Sequence, residues 1–589
     1  MDKKRCFLDY SIKIGGEAGQ GIQTIGDTLA KVFSRSGYYV FSHQDYESRV
    51  RGGHNFYQIR LSDKQITASR KRIDILVALD KESIVRHKSE LSDDGIIVYD
   101  SLSIKERFNS PNFLDIPFAE LAIKNGGDKI MSNTVATGAV IGMLGMSIKP
   151  LHDILNGELK KKGKAIIKIN EAAAIAGRDF AQSNCLRCGF ALSAISSPKM
   201  LIGVHDCVGL GAIASGCKFY SAYPMTPSTG IMLYMAARAK EFGIIVEQAE
   251  DEISAINMAI GASYAGVRSM TGSSGGGFAL MVEGLSLAAM TETPIVIALA
   301  QRPGPATGLP TRTEQADLLF ALHAGHGEFP RLIFAPGNPK QAFYLTNKAF
   351  ELSQKYQIPA IILTDQFLSD AQWTEDEIDP DKIMYNDYRL KDREMARLDV
   401  YNRHAYTGNG VSLFGIPGES HHVIVTDSDE HDEEGHLVED IETRINMVNK
   451  RLFKKIPFIR NEIEPPLFYG STEPEVVITC WGSTFGILKE SVDELLKAEK
   501  IAMLHFSEIY PLPTHLPLPG MEKKRGRIDF LDILRSAKKT ICVEQNATGQ
   551  FAKLLRAETG FKFDASINRY DGRPFLLEEM IGELNAHIG

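Results

Sequence analysis

Short, largely apolar runs separated by helical stretches dominate the hydrophobic pattern of this chain. Such runs, rich in Ile, Val and Leu, are typical of strands buried on both faces of a parallel sheet. They occur at residues 8–14 (LDYSIKI), 73–79 (IDILVAL), 95–100 (GIIVYD), 294–300 (PIVIALA) and 359–365 (PAIILTD), with later strands predicted at VVITC and AMLHF. The alternation of strands and helices predicts an α/β fold made of several doubly wound domains.

Two prolines stiffen a polar turn at residues 223–229 (YPMTPST). Each proline fixes its own φ and biases the residue before it, Tyr223 or Thr226, toward extended geometry. The turn therefore holds its hydroxyl groups, including that of Thr226, in set directions. It lies between a predicted strand and a predicted helix, where α/β sheets bind ligands at the carboxyl ends of their strands.

Carboxylates follow the next short apolar run, 244–246 (IIV), just before another predicted helix. They are Glu247, Glu250, Asp251 and Glu252. They indicate either a ligand-binding carboxylate or acids that stabilise the positive end of a helix. A serine–glycine loop further on, 273–277 (SSGGG), is compatible with close approach to a ring or carboxylate and equally with a plain strand-to-helix turn.

A glycine-rich loop follows the first predicted strand and precedes a helix predicted over about residues 22–36. Its glycines are Gly15, Gly16, Gly19 and Gly21. Glycines in this position let the backbone approach a phosphate at the helix N-terminus, although the same loop also makes a simple tight turn. The pattern by itself therefore predicts an anion site only weakly.

Arginines mark two further candidate anion sites. Arg49 and Arg51 stand beside two glycines in residues 46–54 (YESRVRGGH), which predicts either an anion site or a charged surface loop. Arg302 follows the predicted buried strand 294–300 and has prolines close after it. Its planar guanidinium matches the two oxygens of a carboxylate. We therefore predict a carboxylate anchor at Arg302, with an ion pair to a local acid as the alternative.

The composition is that of an ordinary water-soluble globular protein. The 589 residues are too many for one hydrophobic core, and about three domains are expected. A net charge of −8 gives no basic face, so nucleic acid is not expected as a partner. No apolar run reaches membrane-spanning length, and the basic start of the chain passes directly into a predicted strand. We expect a cytoplasmic protein with no membrane partner.

Cysteines and histidines give weaker signals. Seven scattered cysteines argue against a disulfide framework. Cys185 and Cys188 form one C-x-x-C, for which we favour a turn in a linker over a zinc or redox site. The acid–histidine run 426–436 (TDSDEHDEEGH) has no fixed ligand spacing, so we favour a solvated loop over a metal site. No metal ligand is assigned in this chain.

Four ordered motifs resemble one enzyme family. They are YPMTPST (223–229), EQAEDEISA (247–255), SSGGGFALMVEGL (273–285) and AQRPGPATGLPT (300–311). Together they are similar to the α subunit of the 2-oxoacid:ferredoxin oxidoreductases, in the 2-oxoglutarate (KorA-like) branch with a γ domain fused at the N-terminus. The resemblance covers nearly the whole chain. It implies a γ-type domain at 1–183, a linker at 184–200, a pyrimidine-binding-type domain at 201–370, an extended connection at 371–472 and a transketolase C-terminal-type domain at 473–589.

The resemblance also assigns roles to residues. The family uses thiamine diphosphate, and Glu252 matches the glutamate that contacts the aminopyrimidine ring of this cofactor, with the other acids of its motif as alternatives. Thr226 and Arg302 resemble the threonine and arginine that contact the 2-oxoacid. Tyr223 and Pro224, in the same turn as Thr226, are assigned to cofactor binding. The γ-type domain implies a role near coenzyme A for the glycine loop and the two arginines that follow it.

One absence bears on the partners. Family members hold Mg²⁺ and the cofactor diphosphate on a segment that starts with GDG, and no GDG occurs in this chain. Its cysteines do not suit a [4Fe–4S] cluster either. The resemblance therefore implies that Mg²⁺ and the cluster belong to a separate β subunit. The expected assembly is αβ or α₂β₂, and this chain alone is expected to be inactive.

The expected reaction converts a 2-oxoacid, coenzyme A and oxidised ferredoxin reversibly to acyl-CoA, CO₂ and reduced ferredoxin. The motifs favour 2-oxoglutarate, with pyruvate and branched-chain 2-oxoacids as alternatives. Two other functional classes remain as alternatives. One is a transketolase-type thiamine enzyme with a different acceptor, and the other is a non-catalytic subunit that docks coenzyme A or a partner.

Overall fold

The structure is a computed structural model that describes residues 8–48, 52–185, 187–190, 192, 197–513 and 529–588. The chain folds into two compact units. The first unit comprises Met1–Ile202, Asp370–Glu377 and Leu576–Met580, and the second unit comprises Gly203–Ser369, Ile378–Phe575 and Ile581–Gly589. Among the helices that the structure describes, none is both long enough and apolar enough to cross a membrane.

The strands, in chain order, are β1 Asp9–Ala18, β2 Tyr39–Asp45, β3 Gly52–Ser62, β4 Ile73–Ala78, β5 Leu91–Tyr99, β6 Phe113–Asp115, β7 Met200–Gly203, β8 Phe219–Ala222, β9 Ile245–Gln248, β10 Ser269–Ser273, β11 Ile295–Gln301, β12 Leu332–Phe334, β13 Pro359–Asp365, β14 Ala371–Glu375, β15 Leu467–Gly470, β16 Val476–Trp481, β17 Ile501–Phe506, β18 Glu508–Tyr510, β19 Lys539–Glu544 and β20 Ala565–Asn568.

The α-helices are α1 Ile22–Arg35, α2 Lys81–His87, α3 Ser101–Ile104, α4 Phe118–Lys124, α5 Ser132–Met143, α6 Lys149–Glu158, α7 Lys164–Asn184, α8 Val204–Ala214, α9 Thr229–Phe242, α10 Glu252–Tyr264, α11 Gly275–Met290, α12 Leu318–His323, α13 Pro339–Tyr356, α14 Gln366–Asp370, α15 Asp392–Met395, α16 Ile441–Val448, α17 Lys455–Arg460, α18 Phe485–Leu495, α19 Phe530–Ser536, α20 Gln550–Thr559 and α21 Leu577–Ile588. A π-helical segment, Asn449–Lys454, joins α16 to α17.

A mixed eight-stranded sheet forms the centre of the first unit, in the order β6-β5-β4-β1-β3-β2-β14-β7. Strands β1, β4, β5 and β6 are parallel, whereas β3 and β2 pair antiparallel with their neighbours. Strand β14 lies within the predicted extended connection, yet it forms a ladder with β2. Helices α5 and α7 pack closely, because a Cβ on Gly138 or Gly177 would lie 2.0 Å from a backbone carbonyl oxygen of the other helix.

The second unit contains two sheets. The larger has the order β18-β12-β13-β11-β10-β8-β9, and the smaller has the order β15-β17-β16-β19-β20. In β11 and β13 every residue is buried, as expected for parallel strands covered on both faces. Because β8, β10 and β11 are parallel neighbours, their carboxyl ends lie side by side.

A buried carboxylate anchors the irregular segment between β14 and β15. Glu292, which follows α11, contacts Lys450, Lys455 and His404, and all four side chains are almost fully buried. Burial alone would raise the pKa of Glu292, but the two lysine charges hold it well below its usual value. One carboxylate therefore ties the middle of this segment to the end of a core helix.

Candidate active site

The turn after β8 and the loop after β11 meet at the carboxyl edge of the larger sheet. Thr226 lies in the turn, whose Thr226–Pro227 peptide bond is cis. Nη1 of Arg302 donates a hydrogen bond of 2.7 Å to the backbone oxygen of Thr226. The guanidinium thus reaches across the end of the intervening strand β10. Two residues that lie far apart in sequence are in this way brought into direct contact.

Glu252 is the first residue of α10, where Asp251 caps the helix by accepting a hydrogen bond of 2.7 Å from the backbone N–H of Ser254. Its side chain is only 3 % exposed. Glu247 and Glu250, the alternative acids of the same motif, are both exposed. Of the three glutamates, Glu252 therefore has the low-dielectric surroundings in which a carboxylate interacts strongly with a ligand.

The serine–glycine loop approaches the Glu252 carboxylate. Oγ of Ser273 donates to Oε1 of Glu252 over 3.3 Å. A Cβ on Gly277, in the first turn of α11, would lie 2.4 Å from the same oxygen. The loop is the turn between β10 and α11, and it also lies against a carboxylate, so both alternatives hold in part. The carboxylate is that of Glu252 itself.

Met225 connects the two halves of the site. Its Sδ accepts a hydrogen bond of 3.0 Å from Oγ of Ser274, and Oγ of Ser273 lies 3.7 Å away. The structure thus brings Thr226, Arg302 and Glu252 to one sheet edge, linked through the two serines. Tyr223 and Pro224 precede them in the same turn, and the Tyr223 side chain is 40 % exposed.

The sequence analysis missed two acids: Asp317, which lies near Arg302, and Glu314, which lies near Asp317. Burial raises the pKa of Asp317 to about 6, against the opposing effect of the Arg302 charge. Burial together with the Asp317 charge raises the pKa of Glu314 to about 7. Oδ2 of Asp317 has no hydrogen-bond partner among the residues that the structure describes. The sequence signal that could have identified these acids is their position: Glu314 and Asp317 stand three residues apart, shortly after the AQRPGPATGLPT motif.

The predicted glycine loop belongs to the first unit, but Gly15 and Gly16 lie in β1, which extends to Ala18, and not in a loop. A Cβ would lie 2.6 Å from Ser83 Oγ at Gly15, 2.5 Å from Gln20 Oε1 at Gly16 and 1.8 Å from Asn133 Nδ2 at Gly21, whereas at Gly19 it would meet no atom of the described residues within 4 Å. Gly19 and Gly21 also have positive φ angles, of 92° and 85°. Packing within the unit therefore explains three of these glycines. Arg49 and Arg51 lie outside the described residues.

The weaker sequence signals have structural roles. Cys185 and Cys188 form a disulfide directly after α7. In the acid–histidine run, His431 is buried against the ring of His404, 4.0 Å between centroids, and is not in a solvated loop as predicted. Within the described ranges, no group of three or more His, Cys, Asp or Glu residues is arranged to hold a metal ion.

Comparison with known proteins identifies the class as a subunit of a thiamine diphosphate-dependent oxidoreductase. Residues 210–450 match the family described as pyruvate flavodoxin/ferredoxin oxidoreductase, thiamine diphosphate-binding. Residues 11–180 match the family described as pyruvate ferredoxin/flavodoxin oxidoreductase. The 2-oxoacid:ferredoxin oxidoreductase subunit alpha of Sulfolobus sp is 32% identical, over 96% of this chain and 95% of that protein.

The chain belongs to the 2-oxoacid:ferredoxin oxidoreductase α-subunit family, and it is a subunit of an enzyme. The 2-oxoglutarate synthase subunit KorA of Archaeoglobus fulgidus is 32% identical over 53% of this chain and 82% of its own length. A solved 2-oxoglutarate:ferredoxin oxidoreductase from Magnetococcus marinus, with 2-oxoglutarate, coenzyme A and succinyl-CoA bound, has a TM-score of 0.89 at 30% identity, covering 99% of this chain and 100% of that chain. The family and the α/β fold class predicted from the sequence are confirmed.

Proposed function

We propose that the chain is the α subunit of a 2-oxoglutarate:ferredoxin oxidoreductase. In this reaction 2-oxoglutarate, coenzyme A and oxidised ferredoxin give acyl-CoA, CO₂ and reduced ferredoxin, reversibly. The observation that carries the proposal is the buried Glu252 at the same sheet edge as the Arg302–Thr226 contact. The KorA name of one relative and the 2-oxoglutarate bound in the Magnetococcus structure support 2-oxoglutarate over pyruvate and branched-chain 2-oxoacids.

The residues around Glu252 fit the aminopyrimidine of thiamine diphosphate. Gly277 lets the Glu252 carboxylate lie against the first turn of α11, and the hydrogen bond that Oε1 accepts from Ser273 is a long 3.3 Å, so this oxygen keeps capacity to accept a hydrogen bond from a ligand. When bound, the cofactor supplies the electron sink for decarboxylation of a 2-oxoacid. Glu252 accepts a hydrogen bond from a protonated ring nitrogen and holds that proton in place. Tyr223 and Pro224 are proposed to position the ring from the turn.

Arg302 is proposed to orient the 2-oxoacid. Its guanidinium carries five N–H donors in a planar fork, so its bond to the Thr226 carbonyl is compatible with a two-point contact to a carboxylate. That bond also fixes the guanidinium at the sheet edge. The Thr226 hydroxyl supplies a further polar contact from the cis-proline turn.

We infer that a β subunit covers an apolar surface next to this site. Neighbouring elements at the β9 edge of the larger sheet expose large apolar side chains, namely Leu233 on α9, Ile245 on β9, Ile253 and Met258 on α10, and Leu280 on α11. Large apolar side chains that are exposed on neighbouring elements favour an interaction site. Because the sequence has no GDG, the β subunit is proposed to carry Mg²⁺, the diphosphate site and the [4Fe–4S] cluster, in an αβ or α₂β₂ assembly.

The first unit is proposed to contact coenzyme A through its glycine loop. Gly19 is the residue that supports this role, since a Cβ there would meet no atom within 4 Å in the part of the chain that the structure describes, and its φ is positive. Backbone N–H groups at the start of α1 face the loop and favour an anion such as a phosphate. Arg49 and Arg51 stay part of this proposal.

The test is kinetic. The chain is purified with its β subunit, and reduction of a dye is followed with 2-oxoglutarate, pyruvate or a branched-chain 2-oxoacid as substrate. Thr226→Ala and Arg302→Ala are expected to raise KM and lower kcat for 2-oxoglutarate, and the chain alone is expected to be inactive. Unchanged kinetics in both variants would remove the substrate assignment, and preference for another 2-oxoacid would correct the substrate.

A further inference from the structure

Two adjacent serines, Ser273 and Ser274, lie at the junction of β10 and α11, and the proposed function assigns no role to either of them. Both residues are almost fully buried, since Ser273 is 1 % exposed and Ser274 is 0 % exposed. Ser273 ends β10, and Ser274 precedes α11 as its N-cap residue. A buried hydroxyl group needs a hydrogen-bond partner, so the partner of each serine indicates what that serine holds in place.

Ser273 directs its single hydroxyl proton to Glu252. Its Oγ lies 3.3 Å from Oε1 of Glu252 and 3.7 Å from Sδ of Met225. A carboxylate is a much stronger acceptor than a thioether sulfur, and here it is also the nearer of the two. The hydrogen bond therefore restrains the carboxylate that is proposed to contact the aminopyrimidine ring of the cofactor.

Ser274 contacts the proline-containing turn instead. A serine at an N-cap usually accepts a hydrogen bond from a backbone N–H of the first helical turn, but the Ser274 side chain makes no such bond. Its Oγ donates to Sδ of Met225 over 3.0 Å. Met225 directly precedes Thr226, and its carbonyl oxygen accepts a hydrogen bond of 2.9 Å from Oγ of Ser228. Met225 is thus held through both its side chain and its backbone, which fixes the approach to Thr226.

We propose that the two serines position the two halves of the site separately, Ser273 the cofactor glutamate and Ser274 the substrate turn. This inference rests on the proposed function, in which Glu252 contacts thiamine diphosphate and Thr226 contacts the 2-oxoacid. Both serines are positioning residues, because each acts through its neighbour, Glu252 or Met225. Loss of each hydroxyl group is therefore expected to change a different constant, whereas a purely structural role would change both constants together.

The test compares Ser273→Ala with Ser274→Ala in the chain purified with its β subunit, and each variant is the matched control for the other. Titration of the cofactor-free complex with thiamine diphosphate and Mg²⁺ gives the Kd of the cofactor. Dye reduction at saturating cofactor gives KM for the 2-oxoacid that the wild type turns over fastest. Through loss of one hydrogen bond, Ser273→Ala is expected to raise Kd at least about threefold with KM unchanged, and Ser274→Ala to raise KM at least about threefold with Kd unchanged.

Met225→Leu tests the connection between Ser274 and the turn. Leucine has nearly the volume of methionine but no sulfur acceptor. This variant is expected to raise KM as much as Ser274→Ala does. Adding Ser274→Ala to it is expected to cause no further rise, because both changes remove the same contact.

The wild-type complex and Thr226→Ala separate a failure of this inference from a failure of the proposed function. If the wild type binds thiamine diphosphate and Thr226→Ala raises KM, the proposed function stands. Equal changes of Kd and KM in the two serine variants, no change in either, or additive effects of Met225→Leu and Ser274→Ala would then overturn this inference alone. No binding of thiamine diphosphate by the wild type, or an unchanged KM in Thr226→Ala, would overturn both.

Discussion

The surroundings of Glu252 depend on a single missing methyl group in another helix. Gly277 stands in the first turn of α11, and a Cβ there would lie 2.0 Å from Ser273 Oγ and 2.4 Å from Glu252 Oε1. The neighbouring Gly276 has the same helical setting, but a Cβ there would lie no closer than 3.8 Å, from the carbonyl oxygen of Ala306. Replacing each of these two glycines by alanine therefore separates the steric effect on the Glu252 carboxylate from the effect of helix propensity.

Gly277→Ala is expected to lower thiamine-dependent activity at least about tenfold, because the new methyl group pushes the carboxylate from its position and misplacement by about 1 Å is enough for such a loss. Gly276→Ala is the control and is expected to keep near wild-type activity. Dye reduction with saturating 2-oxoacid and titration of thiamine diphosphate binding measure the two effects. Equal activity in both variants would contradict the role given to Gly277.

Asp317, near Arg302, and Glu314, near Asp317, predict a pH dependence of substrate binding. Asp317 and Glu314, whose pKa values are raised to about 6 and about 7, are neutral below these values and charged above them. Once ionised, they compete for the Arg302 charge and repel the substrate carboxylate. KM for the 2-oxoacid is therefore expected to rise at least about threefold between pH 6 and pH 8. Asp317→Asn with Glu314→Gln is expected to flatten this profile, and an equal slope in that variant would refute the explanation.

At the level of elements, long-range polar contacts hold the second unit together. The irregular segment before β15 is fixed to the end of α11 by the buried Glu292 and its two lysines. In the same unit, Gln315 donates to the carbonyl oxygen of Trp481 at 2.8 Å and accepts from the backbone N–H of Gln545 at 2.9 Å. Side chains in loops thereby join the two sheets.

Glu292→Gln is expected to lower the free energy of unfolding by roughly 3–5 kcal/mol, because it leaves buried lysine charges without a counter-charge. Glu494→Gln is the control, since Glu494 pairs with Lys497 on the surface and both side chains are more than half exposed. That change is expected to stay within about 0.5 kcal/mol. Urea unfolding followed by circular dichroism measures both, and a Glu292 effect as small as the control would contradict the prediction.

The contrast between predicted and unpredicted features has a physical cause. Strands such as β11 and β13 follow from local apolar runs, and the turn with Thr226 follows from its two prolines, because both signals lie within a few residues. The contacts of Glu292 and Gln315 join positions more than a hundred residues apart, so no local pattern contains them. The shifted pKa values of Asp317 and Glu314 likewise arise from burial, which the sequence does not specify.

At the level of the whole molecule, the apolar surface at the β9 edge predicts where the proposed β subunit binds. Ile245→Asp combined with Ile253→Asp is expected to weaken association with the β subunit at least about tenfold, because charges replace apolar contacts. Val85→Asp is the control, since Val85 is a similarly exposed apolar residue on α2 of the first unit. Co-purification and sedimentation measure the effect, and loss of the complex in the control alone would relocate the interface.

The return of the chain to the first unit has a consequence for limited proteolysis. Strand β14 comes from far beyond the linker, yet its backbone is hydrogen-bonded to β2. Leu577 and Glu578, near the end of the chain, likewise bond to Ser69, Arg70 and Lys71. A protease that nicks the chain at residues 184–200 would therefore leave two fragments that stay associated under native conditions and separate only in denaturant. A truncated N-terminal fragment, in contrast, would lack β14, so β2 would become an unpaired edge strand that is available to pair with a strand of another chain.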